Sequence, residues 1–167
     1  GPPPVSSVLG QSHEEIGSEE GHTLVDLDDY HRIALAIAPK GRGTFIDQAK
    51  EVLEIIDSVL ERESMPMDLT FQSVFVRRES DVPLCRQLFV DHFGDKVPAT
   101  NYVIQPPCCG ADLAIEAWAV GGSGAEVTFH SEHLVCVRYD GLRWVYCAGI
   151  MPSTGAASAY DQSDSVF

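Results

Sequence analysis

Positive charge is what this chain has least of: 11 Lys and Arg stand against 25 Asp and Glu, a formal charge of −14 over 167 residues. Nucleic-acid affinity comes largely from Lys and Arg replacing counterions along phosphates, so no nucleic-acid partner is expected, and anionic membranes are disfavoured too. No apolar run approaches the ~20 residues that a spanning helix requires, so no membrane partner is expected. The N-terminus shows no basic region followed by an apolar core and a cleavage site, which makes the cytoplasm the expected location. Paired zinc-type spacing is missing among the five cysteines, of which only Cys108 and Cys109 are neighbours. Reduced, mostly packing thiols are the expectation. His130 and His133 lie three apart on one predicted strand and would point to opposite faces, and the other histidines are scattered. Neither a metal nor a cofactor is expected. The loop from Pro39 to Gly43 carries Lys40 and Arg42 ahead of a helix start, where an anion could be attracted, but it lacks the full phosphate-loop pattern and reads as a solvated turn.

What is present is apolar material: 44% hydrophobic against 22% charged residues, enough for a real core in one domain or one domain plus part of another. Residues 1–21, rich in Pro, Ser, Gly and Glu and without sustained periodicity, read as a flexible leader. Thr23 to Leu27 and Arg32 to Ala38 are strand-like runs about the turn-prone Asp28-Asp29, a predicted hairpin. Thr44 followed by Asp47 looks like a helix N-cap. Behind it Ala49, Val52, Leu53, Ile56, Val59 and Leu60 recur at helical steps to about Glu63.

Leu69 to Val76 is the next predicted strand. Asp81 and Pro83 start a second helix, in which Leu84, Leu88 and Phe89 are expected to pack inward and Gly94 supplies the stop. Ala99 to Gln105 and Leu113 to Val120 follow as strands around the corner Pro106-Pro107-Cys108-Cys109-Gly110. The order is β-β-α-β-α-β-β over residues 22–121. After the linker 122–125, Val127 to Arg138 and Leu142 to Gly149 read as two strands, with Asp140-Gly141 a strong two-residue turn between them. That turn sets Tyr139 opposite Leu142 and Arg138 opposite Arg143. Val135, Val137, Tyr139, Leu142, Trp144 and Tyr146 then share one apolar face that needs a cover.

A rhythm recurs. Arg32, a strand, Pro39, Gly43, Gln48 and Val52 are echoed by Arg143, a strand, Pro152, Gly155, Gln162 and Val166. Residues 126–167 accordingly read as a β-hairpin and the start of a second, truncated repeat. The alternative is two unrelated strand-to-helix transitions, with the hairpin extending the first domain's sheet.

The string Pro98 to Val120, PATNYVIQPPCCGADLAIEAWAV, resembles the signature of the RidA/YjgF/endoribonuclease L-PSP superfamily: a Pro-led strand, a Pro-containing corner and an EIEAIA-like strand. The helix carrying Gln48, the Phe71 to Val76 strand and the Arg86 to Phe93 helix fall in the family's order, so the resemblance covers about 100 residues. It implies a chorismate-mutase-like α+β fold with two helices on one face of a mixed sheet, assembled as a homotrimer with small-metabolite pockets between subunits. It also implies hydrolysis of imines and enamines derived from amino acids, with an arginine on the Pro-led strand holding the substrate carboxylate and a glutamate at the position of Glu116. Counting back from Glu116, that arginine falls at Ala99 or Thr100, and no Arg occurs between Arg86 and Arg138. Neither side chain can make a bidentate charged contact.

Glu116 is therefore the candidate catalytic residue, expected to be partly buried amid Leu113, Ile115, Ala117 and Trp118; burial can raise a carboxyl pKa toward general-acid use. Thr100, Asn101, Gln105 and Cys108 are the candidate ligand-binding residues, offering hydrogen bonds where the family offers a cation. The expected function is small-metabolite binding in an intersubunit pocket without the family's deaminase activity. The alternatives are an imine or enamine hydrolase with altered substrate and a non-catalytic assembly module of a tandem protein.

Overall fold

The computed structural model describes the backbone of residues 20–27 and, from there, residues 30–149. The expected turn at Asp28-Asp29, residues 1–19 of the expected leader, and residues 150–167, with the Pro152, Gly155, Gln162 and Val166 echo, lie outside the described residues. The elements are β1 (Glu20–Leu27), β2 (Tyr30–Ile37), α1 (Phe45–Glu61), β3 (Met67–Val76), α2 (Val82–Phe93), β4 (Ala99–Ile104) and β5 (Leu113–Gly121). This is the predicted β-β-α-β-α-β-β order, with the first strand starting inside the expected leader. The five strands form one mixed sheet in the order β1-β2-β5-β3-β4. All neighbours are antiparallel except β3 and β4, which α2 joins as a parallel pair.

Helix α1 begins with a reciprocal capping box: Thr44 Oγ1 accepts from the Asp47 amide at 3.1 Å, and Asp47 Oδ2 accepts from the Thr44 amide at 3.1 Å. Its buried stripe of Phe45, Ala49, Val52, Leu53, Ile56 and Val59 meets Ile33, Leu35, Ile37, Val74, Val76, Leu113, Ile115, Ala117 and Ala119 of the sheet. Strand alternation puts these sheet residues on one face. Helix α2 covers the same face with Cys85 and Phe89. Leu84 does not pack inward as expected; it is 38% exposed, and the next residue, Cys85, points to the core instead. Gly94 at φ 64° ends the helix in the left-handed region, as the sequence suggests.

The run from Val127 to Arg138 is not one strand. It folds back on itself as β6 (Glu126–Ser131) and β7 (Leu134–Tyr139), and β8 (Leu142–Cys147) completes a second, three-stranded sheet. Asp140 and Gly141, both at positive φ, make the expected tight turn, with Tyr139 opposite Leu142 and Arg138 opposite Arg143. This sheet does not extend the first one. It packs face to face on the side away from the helices, where Val135, Val137, Trp144 and Tyr146 join Tyr30, Phe71, Ala99 and Val120 in a second core. Tyr30 and Trp144 stack with ring centroids 5.5 Å apart, and Phe71 lies 5.2 Å from Trp118. Leu142, expected on the same covered face, is 58% exposed at the hairpin tip.

The chain passes between the sheets at Gly121, where a Cβ would collide with Met67 Sδ and the Pro66 carbonyl. At the other end, the β6–β7 turn is tied down. Glu132 O accepts from the Thr100 amide at 2.8 Å, and both Glu132 carboxylate oxygens accept from Arg86 Nε at 2.9 and 3.0 Å.

Candidate functional site

The first sheet presents Ala36, Glu116, Ser73 and Asn101 on the face away from the helices, one from each of four strands. Ala36 pairs with Glu116, Glu116 with Ser73, and Ser73 with Asn101, so the four form a single row across the sheet. One step along, Phe71, Ala99 and Trp118 belong to the second core. One step the other way come Phe75, Val103 and Ala114. The second sheet thus roofs one half of this face, and the polar row lies beside the roof. Glu116 is exposed, Asn101 is half-buried and Ser73 is only 6% exposed. None of the three side chains hydrogen-bonds to another described residue. The Ser73 hydroxyl and the Asn101 amide open onto the uncovered side of the face, where water or a ligand can meet them.

The candidate ligand set is divided by this geometry. Asn101 joins Glu116, but Thr100, its immediate neighbour on β4, points the other way, as alternation requires. Its hydroxyl is buried, accepts from Gln72 Nε2 at 3.1 Å and donates to the Pro98 carbonyl at 2.8 Å. Gln105 is exposed and follows β4, its amide donating to the Val76 carbonyl at 2.9 Å. Cys108 is exposed in a 3-10 turn at the corner before β5. That corner is held by Gln48, whose amide nitrogen donates to Asp112 Oδ2 and whose Oε1 accepts from the Asp112 backbone amide, at 3.0 and 2.9 Å. Arg78 pairs with the same carboxylate at 3.3 Å. The helix carrying Gln48 thereby fixes where β5, and with it Glu116, starts. Ser73 escapes the sequence reading because nothing local marks it; its place beside Glu116 comes from a strand pairing that spans 43 residues of chain. Glu116, expected to be partly buried, is exposed on the half of the face that the second sheet does not cover.

Several groups in the cores and at the β6–β7 turn are shifted in their ionisation. Burial pushes the Cys85 thiol up to about 12, with Asp81 adding to the effect. Burial likewise raises the Tyr30 and Tyr102 phenols, and the Glu132 hydrogen bond raises the Arg86 guanidinium. These groups sit in the cores or in the Arg86–Glu132 tie and serve architecture. In the loop read as a solvated turn, the Lys40 and Gly41 amides donate to the Glu51 carboxylate at 2.7 and 3.0 Å. His130 and His133 do not share a strand, since His133 lies in the β6–β7 turn. No group of three metal-ligating side chains occurs among the described residues, and none of the described helices is long and apolar enough to cross a membrane. Chemically, the row supplies one carboxylate, one hydroxyl and one amide.

No family sequence model and no curated protein sequence matches the chain. Solved structures do. Yeast Mmf1 superimposes with a TM-score of 0.51 at 18% identity, covering 59% of this chain and 84% of that one. A Thermotoga maritima protein provisionally named an endoribonuclease gives 0.51 at 22% identity, covering 60% and 85%. RidA from an Antarctic Psychrobacter gives 0.49 at 20% identity, covering 57% and 83%. Over about three fifths of its length, this chain carries the fold of the YjgF/RidA/endoribonuclease L-PSP family.

Proposed function

We propose that the chain is a cytoplasmic, RidA-like small-metabolite-binding protein that assembles as a homotrimer, with its pocket closed between subunits over Glu116, Ser73 and Asn101. The observation that carries the reading is the polar row without partners on the open half of the sheet face. Small-molecule sites combine a few convergent polar groups with apolar walls, and here Phe75 and Val103 on one side and Trp118 on the other supply the walls. The clefts at Met65-Pro66 and at the Asp140-Gly141 turn lie elsewhere on the molecule. Light scattering tests the assembly: three times the single-chain mass is expected, and a clean monomer overturns it.

The face around Glu116 offers no arginine to hold a carboxylate. Ala99 is buried under the second sheet, and Thr100 faces the helices. Freshly generated 2-iminopropionate is therefore expected to hydrolyse at the buffer rate in the protein's presence. Acceleration that Glu116→Gln abolishes would establish the hydrolase reading instead, with Glu116 as its catalytic residue.

One observation favours a second reading, an assembly module of a tandem protein: the β7–β8 hairpin already packs face to face on the first sheet. In this reading residues 126–167 begin a second repeat, and its remaining strands would continue the roof over the row. A longer chain carrying a whole second repeat would then be monomeric or would form mixed-domain trimers by the same scattering measurement.

A further inference from the structure

Resting on the binding site just proposed, we infer that its ligand is a small protonated amine that bears a hydroxyl or amide group and no carboxylate. Glu116 is the charged residue of the row, and it is exposed. The described strands carry two other charged residues on this face: Asp68, itself an anion, beside Val120, and Arg32, which is 2% exposed and stands four residues before Ala36 on β2, on the roofed half. No cation therefore reaches the row from the sheet itself. A ligand carboxylate would meet Glu116 at close range, and like charges sharing a site repel. An ammonium group meets the opposite sign there, and the formal charge of −14 draws cations toward the surface.

The neutral partners define the rest of the ligand. Neighbouring strands lie roughly 4.8 Å apart, so the Cα atoms of Glu116 and Asn101 stand about 10 Å apart with Ser73 midway. Ser73, more than nine-tenths buried and without a hydrogen-bond partner among the described residues, offers both a donor and an acceptor, as does the Asn101 amide. A short molecule lying along the row, ammonium on Glu116 and hydroxyl or amide on Ser73 and Asn101, satisfies all three side chains at once.

The test uses pairs of compounds that differ only in the carboxylate: ethanolamine against serine, and 3-aminopropanamide against asparagine. Each is titrated into the isotope-labelled full chain while the amide resonances of Ser73, Asn101 and Glu116 are followed. The expected result is binding of the carboxylate-free member at those residues at least tenfold tighter than its partner. Glu116→Gln, a substitution at an exposed position, should abolish the preference, whereas Ser73→Ala should weaken both members alike. Equal or tighter binding of serine or asparagine at the row would overturn the ligand class while leaving the site standing, and so would a preference that survives Glu116→Gln. If no compound moves these resonances, the binding site fails and the inference with it.

Discussion

The two faces of the five-stranded sheet are built from the same alternating strands and end in different environments. The helix face of β2, β3 and β5 is covered by apolar side chains of α1 and α2, Phe45 and Phe89 among them. The opposite face is covered over half its extent by an aromatic-rich second sheet and elsewhere presents Glu116, Ser73 and Asn101. Alternation alone dictates that residues take turns between faces. What each face becomes depends on the partner that arrives, and the polar row sits where no described element arrives.

The comparison breaks most sharply at the second sheet. Trp144→Ala removes a ring that stacks on Tyr30, and a loss of about 3–5 kcal/mol is expected, read as a shift of one cooperative urea transition. Two separate transitions would show that the second sheet folds apart from the first. On the helix face, Ile56→Ala should cost about 2–5 kcal/mol by emptying a fully buried site. The Arg86–Glu132 tie is half exposed, so Glu132→Gln should cost only about 0.5–1 kcal/mol. Its sharper signature is faster hydrogen exchange at the Thr100 amide, which that turn protects.

Alkaline titration probes the helix face differently. Cys85 is held protonated in the fold to about pH 12 by burial, whereas an unfolded thiol ionises near 9. The folded state therefore binds the extra proton between those values, and stability should fall as pH rises through that window. Cys85→Ala should flatten the fall, while a thiol reagent at pH 8 labels exposed Cys108 before Cys85. The smallest effect is expected in the row: Ser73→Ala, Asn101→Ala and Glu116→Gln should each change stability by no more than about 0.5 kcal/mol. A larger loss in any of them would mark that side chain as structural.

The order of elements was legible in the sequence because it rests on local signals. The Thr44 to Asp47 spacing, the helical recurrence from Ala49 to Leu60 and the Asp140-Gly141 turn each encode their own conformation. The break between β6 and β7 was not, since Ser131-Glu132-His133 contains neither Gly nor Pro. That turn is instead set by contacts at a distance, Glu132 with Arg86 and Thr100, together with the His133 amide donating to Ser131 Oγ at 3.0 Å. Half of the candidate site was legible in the same sense. Glu116 and Asn101 could be named from the resemblance, but adjacent residues of a strand cannot share a face, so Thr100 and Asn101 could not both belong to one site. Ser73 required the register between β3 and β5, which no local pattern carries.

Strand β5 lies in the middle of its sheet yet is the last of the five to be synthesised. Until residues 113–121 arrive, β1 with β2 and β3 with β4 are two half-sheets without a common strand. Closing the sheet requires β2 to find a partner more than 75 residues later, at Ile37 and Ile115. Non-local pairing of this kind slows folding and leaves strand edges open in the interval. Mutations that weaken β5 should thus raise aggregation during synthesis out of proportion to their effect on the finished fold.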